Sequence, residues 1–156
     1  MNPFLLSTCA VLLTAYVSSR YTTASVNSKW YQCIKSNLTP PNYVFPLVWS
    51  ILYVFIAYAF GTVLQTQEST YVIGLFVLNL LFNVAWCYLY FYKKHTGAAL
   101  VAIGIVIASI VQIMRFSPST TIYKLMMPYL AWVTFAACLN YTSLERSAQC
   151  DVYITE

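Results

Sequence analysis

The positions of the charged residues constrain this chain more than any other feature. All twelve charged side chains lie between or outside five long apolar stretches. The charge-free windows are residues 1–19, 36–67, 69–92, 96–114 and 125–144. A helix that crosses a bilayer needs about 20 mostly apolar residues, and a charge inside the hydrocarbon layer is costly. The spacing therefore predicts an all-α integral membrane bundle of five transmembrane helices.

The composition agrees with a single membrane domain over residues 1–156. Charged residues make up 8% and apolar residues 60% of the chain, against about 25% and 45–50% in an average soluble domain. A soluble helical protein needs a polar outer face, and five uncharged windows leave none. We expect spans at about residues 3–20, 43–64, 71–92, 97–114 and 123–144. The long polar loop at residues 21–41 is lid-like, because loops of this length often cover binding sites.

Basic residues gather on one side of the predicted bundle. That side holds Arg20, Lys29, Lys35, Lys93, Lys94 and Arg146. The other side holds Arg115 and Lys124. Because loops rich in lysine and arginine favour the cytoplasmic side, we expect a non-cytosolic N-terminus, with the first loop and the C-terminus in the cytosol.

The five cysteines show no spacing typical of a metal or redox site. They are Cys9, Cys33, Cys87, Cys138 and Cys150, and three of them fall inside predicted spans. We therefore interpret them as small apolar residues and predict no metal site.

The predicted spans hold no ionisable side chain, provided that Arg115 and Lys124 reach the interface from the span ends. Proton relays, ion-coupling sites and voltage sensors need such groups inside the membrane. The single histidine, His95, lies in a turn. We therefore expect neither an ordinary hydrolytic enzyme nor an ion-coupled pump, and we predict no obligatory cofactor and no nucleic-acid partner.

Aromatic and neutral polar residues share single faces of three predicted spans, and an asparagine inside lipid must find a partner. The residues on these faces are Trp49 and Tyr53, then Asn79, Asn83 and Trp86, then Trp132, Ala136, Leu139 and Asn140. Such faces can enclose a flat apolar ligand that indole and amide groups orient. The alternative is that they only pack and hydrogen-bond between helices.

These residues fall in motifs that resemble the translocator protein family, also called the tryptophan-rich sensory protein (TspO/MBR) family. Residues 40–53 read PPNYVFPLVWSILY, similar to the family pattern PPxWxFPxVWxxLY with Tyr43 in place of a tryptophan. Residues 83–86 read NVAW, similar to N-x-x-W. Residues 128–141 read PYLAWVTFAACLNY, very similar to PYLAWxxFAxxLNY. Trp30 also stands where the family has Trp-Tyr in its first loop.

The resemblance implies a five-helix bundle, often a homodimer, with a pocket under the first loop. Members bind porphyrins, sterols and synthetic drugs, and occupy bacterial envelopes, the mitochondrial outer membrane and other endomembranes. By motif position, the ligand-binding residues are Ser19, Trp49, Asn83, Trp86, Trp132, Ala136 and Leu139. Some members promote light-dependent porphyrin breakdown, for which Trp49 and Trp132 are the candidates in this chain.

A loose sterol-binding pattern is also present near the end of the fifth span, at Leu139, Tyr141 and Arg146. The chain departs from the family at several places. Cys87 and Tyr88 stand where members commonly have two prolines, Ala98 replaces a tryptophan of animal members, and Ala102 replaces an acid. We expect these changes to alter affinity for drug-type ligands.

The residues and the resemblance together predict a membrane receptor or carrier for flat hydrophobic ligands, most of all a porphyrin. Lys29 and Lys35 in the lid-like loop are then positioned to pair with propionate groups. Two alternatives remain. One is a sterol-handling or scaffold protein, and the other is a light-dependent porphyrin-degrading activity.

Overall fold

The computed structural model describes residues 2–151, and within them the chain is a bundle of long helices. The bounds of the helices are α1 Pro3–Ser25, α2 Lys29–Ile34, α3 Val44–Gln65, α4 Thr70–Cys87, α5 Thr96–Phe116 and α6 Thr120–Cys150, with a π-helical turn at Tyr88–Tyr92 that continues α4. Five of these helices, α4 being counted together with its π-helical turn, are long and apolar enough to cross a membrane. The predicted all-α membrane bundle is therefore confirmed.

Short polar side chains set where several helices begin. The Oγ atoms of Ser28, Ser69 and Ser119 each accept a hydrogen bond from a backbone N–H in the first turn of α2, α4 and α6. Such caps satisfy N–H groups that have no partner inside the helix. His95 does the same for α5 through its Nδ1 atom.

Two helices are longer than the sequence predicts. Helix α1 continues five residues past the predicted end at Arg20, and α6 has 31 residues and reaches Cys150. At 1.5 Å per residue, α6 is about 46 Å long, against about 30 Å for the hydrocarbon layer. Helix α6 is therefore longer than one bilayer crossing requires, and its last turns contact α2.

A disulfide joins the lid region to the end of α6. Cys33 in α2 and Cys150 are bonded, with Cα atoms 5.9 Å apart and 117 positions of sequence between them. The interpretation of all five cysteines as small apolar residues is thus wrong for this pair. Sequence spacing could not reveal it, because the two residues meet only when the first loop folds back over the bundle. Cys9, Cys87 and Cys138 remain free thiols.

A continuous chain of hydrogen bonds crosses the middle of the bundle. The Tyr53 hydroxyl on α3 donates to Asn83 Oδ1 at 3.2 Å, and Asn83 Nδ2 donates to the Tyr129 hydroxyl on α6 at 3.3 Å. Tyr129 donates in turn to Asn79 Oδ1 at 2.9 Å, and Asn79 Nδ2 donates to Ser109 Oγ on α5 at 2.9 Å. Four helices are thereby joined through polar groups that lipid cannot satisfy.

The outer surface of the bundle is apolar. Large side chains that are more than half exposed occur on every long helix, as expected for surfaces that contact acyl chains. Examples are Leu12, Val54, Leu81, Val101 and Tyr141.

Replacing Tyr129 with phenylalanine should destabilise the bundle. The substitution removes one donor and one acceptor from the middle of the hydrogen-bond chain, and we expect a loss of roughly 1–2 kcal/mol. Thermal unfolding of the purified protein in detergent measures this. Tyr141→Phe is the control, because Tyr141 is 53% exposed. Equal unfolding temperatures for the two variants would show that the chain of hydrogen bonds contributes no stability.

Candidate functional site

The main cavity of the site lies between α1, α3 and α4, beneath α2. Its volume is about 340 Å³, within the 300–1,000 Å³ typical of small-molecule sites. The residues that line it are Ala15, Ser18, Ser19, Thr22, Thr23, Val26, Tyr31, Asn42, Phe45, Pro46, Trp49, Ser50, Tyr53, Trp86, Cys87 and Phe91. Among the described residues, none that lines the cavity is charged, so the lining offers no charged group to a molecule inside it.

Trp49 is the centre of an aromatic wall in this cavity. Its ring centroid lies 5.4 Å from Tyr53, 6.2 Å from Trp86 and 6.0 Å from Tyr129. Rings at these separations are in favourable contact. The family-like motif of α3 positions this wall, because Trp49 and Tyr53 are four residues apart and share one helix face. The wall offers a flat apolar surface to a ligand.

Hydroxyl groups of α1 form the opposite side of the cavity. Ser19 Oγ donates to the Tyr16 carbonyl at 2.8 Å, and Thr22 Oγ1 donates to the Ser18 carbonyl at 3.0 Å. Bonds of this kind let serine and threonine lie in a membrane helix at low cost. This side was not predicted beyond Ser19. The sequence did contain a signal for this side of the cavity. Small hydroxyl residues repeat at helical spacing in this otherwise apolar span, at Thr14, Ser18, Thr22 and Ser25.

The cavity reaches the outer surface of the bundle between α1 and α3. Ser19 and Thr23 on α1 are exposed, as are Pro46 and Ser50 on α3, and all four also line the cavity. These four residues belong to helices that are long and apolar enough to cross a membrane.

Helix α2, which lies in the segment predicted to be lid-like, packs against the bundle and contributes Tyr31 to the cavity wall. Trp30 and Ile34 are fully buried against the bundle, and Tyr31 is 4% exposed. The Tyr31 ring lies 5.7 Å from Phe91, and Lys94 Nζ lies 5.8 Å from the Trp30 ring centroid. Burial raises the pKa of the Tyr31 phenol above its usual value. Residues 21–41 were predicted to form a lid-like loop, but residues 21–25 belong to α1 and residues 29–34 form α2. That this segment acts as a lid stays a prediction.

A second, water-sized cavity of about 20 Å³ adjoins the first. Tyr31, Phe45, Trp86 and Phe91 line both cavities and so form the partition between them. Ala136, Leu139 and Asn140 of α6 face only the smaller cavity, together with Thr39 and Tyr90. The site is therefore divided, and the larger part lies on the α1 side.

The structure separates the seven predicted ligand-binding residues into three groups. Ser19, Trp49 and Trp86 line the main cavity. Ala136 and Leu139, with Trp86 again, line the smaller one. Asn83 and Trp132 line neither of the two.

The side chain of Trp132 lies behind the partition. Its ring is 5.7 Å from Phe45 and 5.6 Å from Phe135, and its indole N–H is buried without a hydrogen-bond partner. Phe45 therefore stands between Trp132 and the main cavity.

The predicted polar contacts are already engaged within the walls. The Asn83 side chain bonds to Tyr53 and Tyr129, while Trp86 Nε1 donates to Asn140 Oδ1 at 3.1 Å. Asn140 Nδ2 donates to the carbonyl of Thr96 at 2.9 Å. These groups therefore hold the helices at fixed rotations. This agrees with the alternative from the sequence, in which such residues hydrogen-bond between helices.

The residues of the sterol pattern do not share one surface. Leu139 points inward and Tyr141 is 53% exposed, since two residues along a helix correspond to about 200° of rotation. Arg146 Nη1 donates to the Lys35 carbonyl at 2.6 Å. Arg146 thus ties α6 to the segment that follows the lid helix.

The departures from the family pattern have different positions relative to the site. Cys87 is buried and lines the main cavity. Tyr88 packs outside it against Tyr21, with ring centroids 5.3 Å apart. Ala98 and Ala102 on α5 line neither cavity. Of these four residues, only Cys87 is placed to contact a ligand directly.

Comparison with known proteins shows a single consistent similarity. The chain matches the family model of the TspO/MBR family over residues 6–145. It is 30% identical over 142 residues to the tryptophan-rich protein TspO of Chlorobaculum tepidum, covering 86% of this chain and 89% of that protein. It is also 30% identical over 142 residues to the translocator protein of Homo sapiens, covering 86% and 83%. The tryptophan-rich sensory protein of Cereibacter sphaeroides is 30% identical over 120 residues, covering 75% and 76%.

Truncating the partition should join the two cavities. In a Phe45→Ala variant we expect the bulkier members of a series of polycyclic aromatic ligands to bind about tenfold more tightly, which corresponds to about 1.4 kcal/mol. Fluorescence titration of each ligand measures the change. Tyr43→Ala is the matched control, because Tyr43 is 71% exposed and lines neither cavity. An unchanged size preference would mean that Phe45 does not limit the site.

Proposed function

Because this chain belongs to the TspO/MBR family, we propose that it is a membrane receptor or carrier for flat hydrophobic ligands such as porphyrins and sterols. The observation that carries the proposal is the cavity of about 340 Å³, which has no charged lining residue and has Trp49 at the centre of its aromatic wall. A flat ligand can lie against the wall formed by Trp49, Tyr53 and Trp86. The hydroxyl groups of α1 supply the few polar contacts that such sites use for orientation.

The charge around the lid favours a porphyrin over a neutral sterol. Lys29 begins the lid helix and Lys35 directly follows it. Both side chains belong to the polar segment above the cavity, where they place positive charge near the site. Carboxylate groups of a bound porphyrin are attracted to that charge, while the macrocycle occupies the apolar cavity.

A light-dependent porphyrin-degrading activity is the second candidate. It is favoured by the position of Trp49, whose indole lies in the cavity wall and 6.2 Å from Trp86. Trp132 is the weaker candidate for such chemistry, because Phe45 separates it from the main cavity. A sterol-handling or scaffold role is the remaining alternative, and the uncharged cavity is compatible with a sterol ligand.

A homodimer is consistent with the outer surface of α5. Gly104 and Ala108 are both exposed and lie four residues apart on the face turned away from the bundle. Small residues at this spacing allow two membrane helices to approach closely. We therefore propose that two copies pair through this face.

The positions of the basic residues support the predicted orientation. The lid, the π-helical turn and the end of α6 lie at the same end of the bundle and carry Lys29, Lys35, Lys93 and Arg146. Arg115 and Lys124 lie at the other end. Because basic loops favour the cytosolic side of a membrane, we propose that the lid faces the cytosol. The N-terminus then faces the opposite compartment.

The two tryptophans should differ in a porphyrin titration. Protoporphyrin IX added to the purified protein at micromolar concentration should quench tryptophan fluorescence. We expect Trp49→Ala to weaken binding at least about tenfold, or about 1.4 kcal/mol, because it removes the centre of the wall. Trp132→Ala should bind nearly as tightly as the wild type. Absent quenching in the wild type, or equal losses in both variants, would count against the proposed site.

Removing charge from the lid should weaken porphyrin binding but not sterol binding. We expect a Lys29→Gln/Lys35→Gln variant to bind protoporphyrin IX a few-fold more weakly, and the difference should shrink at high salt because exposed charges are screened. Lys124→Gln, at the other end of the bundle, is the control. Equal affinity of the lid variant and the wild type at low salt would reject the role of these lysines.

A further inference from the structure

The lid helix is covalently tied to the end of the last helix. Cys33 lies in α2, and Cys150 is the final residue of α6. The hydrogen bond from Arg146 Nη1 to the Lys35 carbonyl lies one turn before Cys150 and joins the same two regions. The disulfide and this hydrogen bond therefore fix the lid helix to the last turns of α6.

The segments on either side of the lid helix have no regular secondary structure. Residues 26–28 and 35–43 are turns or irregular backbone, so α2 is a short helix that no continuous helix connects to its neighbours. Its contact with the bundle is otherwise made by side-chain packing, chiefly by Trp30, Tyr31 and Ile34. Without the disulfide, movement of α2 is opposed only by this packing and by the hydrogen bond between Arg146 and Lys35, and no longer by a covalent bond.

The position of the lid decides the shape of the binding site. Tyr31 on α2 lines both the main and the smaller cavity. Cys33 is two residues further along the same short helix. Fixing Cys33 therefore fixes a wall of the cavity, and releasing Cys33 lets that wall move.

We propose that Cys33 and Cys150 form a reversible redox latch, which holds the lid over the ligand cavity when oxidised and frees it when reduced. The proposal rests on the proposed function, since it regulates the same site, and on the cytosolic placement of the lid. Disulfides that form in the cytosol are usually transient and redox-sensing, because thiols there are kept reduced. The latch closes when a low-molecular-weight disulfide such as oxidised glutathione accumulates.

The chemistry of the latch is ordinary thiol–disulfide exchange. In closing, one cysteine thiolate attacks a sulfur of oxidised glutathione, forms a mixed disulfide and expels one glutathione thiolate. The second cysteine thiolate attacks the mixed disulfide and expels the other. Two protein thiols thus lose two electrons and two protons, and one oxidised glutathione becomes two reduced ones. Two thiols of a small reductant reverse the sequence.

The two sulfur-bearing residues differ in how well a reagent can reach them. Cys33 is half-buried, whereas Cys150 is 2% exposed. An attacking thiolate therefore meets the Cys33 sulfur first, and Cys150 leaves as the thiolate. We infer this order for opening the latch.

Hydrogen–deuterium exchange of the full chain in lipid nanodiscs tests the tether itself, with no ligand present. Backbone amides of α2 should exchange at least several-fold faster after reduction with dithiothreitol, and Cys33→Ser should exchange fast in both redox states. Cys138→Ser is the matched control and should keep the redox response, because Cys138 is an exposed free thiol on α6. Equal protection of α2 with and without the bond would overturn the latch, whatever the protein binds.

The release of protoporphyrin IX tests the effect on the site. The reduced wild type and the Cys150→Ser variant should release the porphyrin several-fold faster than the oxidised wild type. Equal release rates, as expected if the ligand leaves only between α1 and α3, would overturn the gating role even where α2 is loosened. If the porphyrin binds in neither redox state, the proposed function is wrong. The exchange experiment still decides whether the disulfide holds α2 against the bundle.

Thiol labelling in intact cells tests reversibility. Maleimide–polyethylene glycol added after lysis should show Cys33 and Cys150 largely reduced in untreated cells, oxidised after diamide, and reduced again on recovery. If Cys33 and Cys150 are fully disulfide-bonded in untreated cells and do not respond to these reagents, the bond is a permanent structural disulfide in an oxidising compartment. That result would overturn the reversible latch.

Discussion

The hydrocarbon layer offers no hydrogen-bond partners, and this constraint governs the whole structure. The polar side chains of the spans must therefore satisfy one another across helices. The chain from Tyr53 through Asn83, Tyr129 and Asn79 to Ser109 does so at the centre of the bundle. Each bond fixes the rotation of a helix about its axis, and those rotations decide which side chains face the cavity and which face lipid.

The main cavity lies where this polar core ends. Below it the helices pack closely, as in the stacked pair of Phe60 and Phe76 with ring centroids 5.0 Å apart. On the lid side, small hydroxyl residues of α1 face the large rings of Trp49 and Trp86, and the space between them is not filled by protein. Helix α2 covers one side of that space, and it is joined to α6 by the disulfide and by Arg146. The stability of the bundle, the shape of the cavity and access to the cavity therefore depend on parts of the bundle that contact one another.

Much of the architecture could be predicted because the membrane makes simple demands. The charge-free windows gave the five spans, and the neutral polar residues gave their inward faces, so the burial of Asn79, Asn83 and Asn140 was expected. The partners of these residues were not predictable. Asn83 and Trp132 share motifs with pocket residues in the family, yet one bonds to Tyr53 and Tyr129 and the other packs behind Phe45. Helical spacing gives the face of a residue but not the side chain that stands in front of it.

The sequence by itself determined that this is a helical membrane protein with five spans and an aromatic, uncharged interior, because lipid penalises charge and unsatisfied backbone wherever they occur. Only the tertiary structure decided that Trp49 lines the main cavity while Trp132 does not, and that Cys33 meets Cys150. The physical reason is that these outcomes depend on contacts between residues far apart in the chain. Such contacts are set by how five helices rotate and a loop folds back, and no local pattern of residues records them.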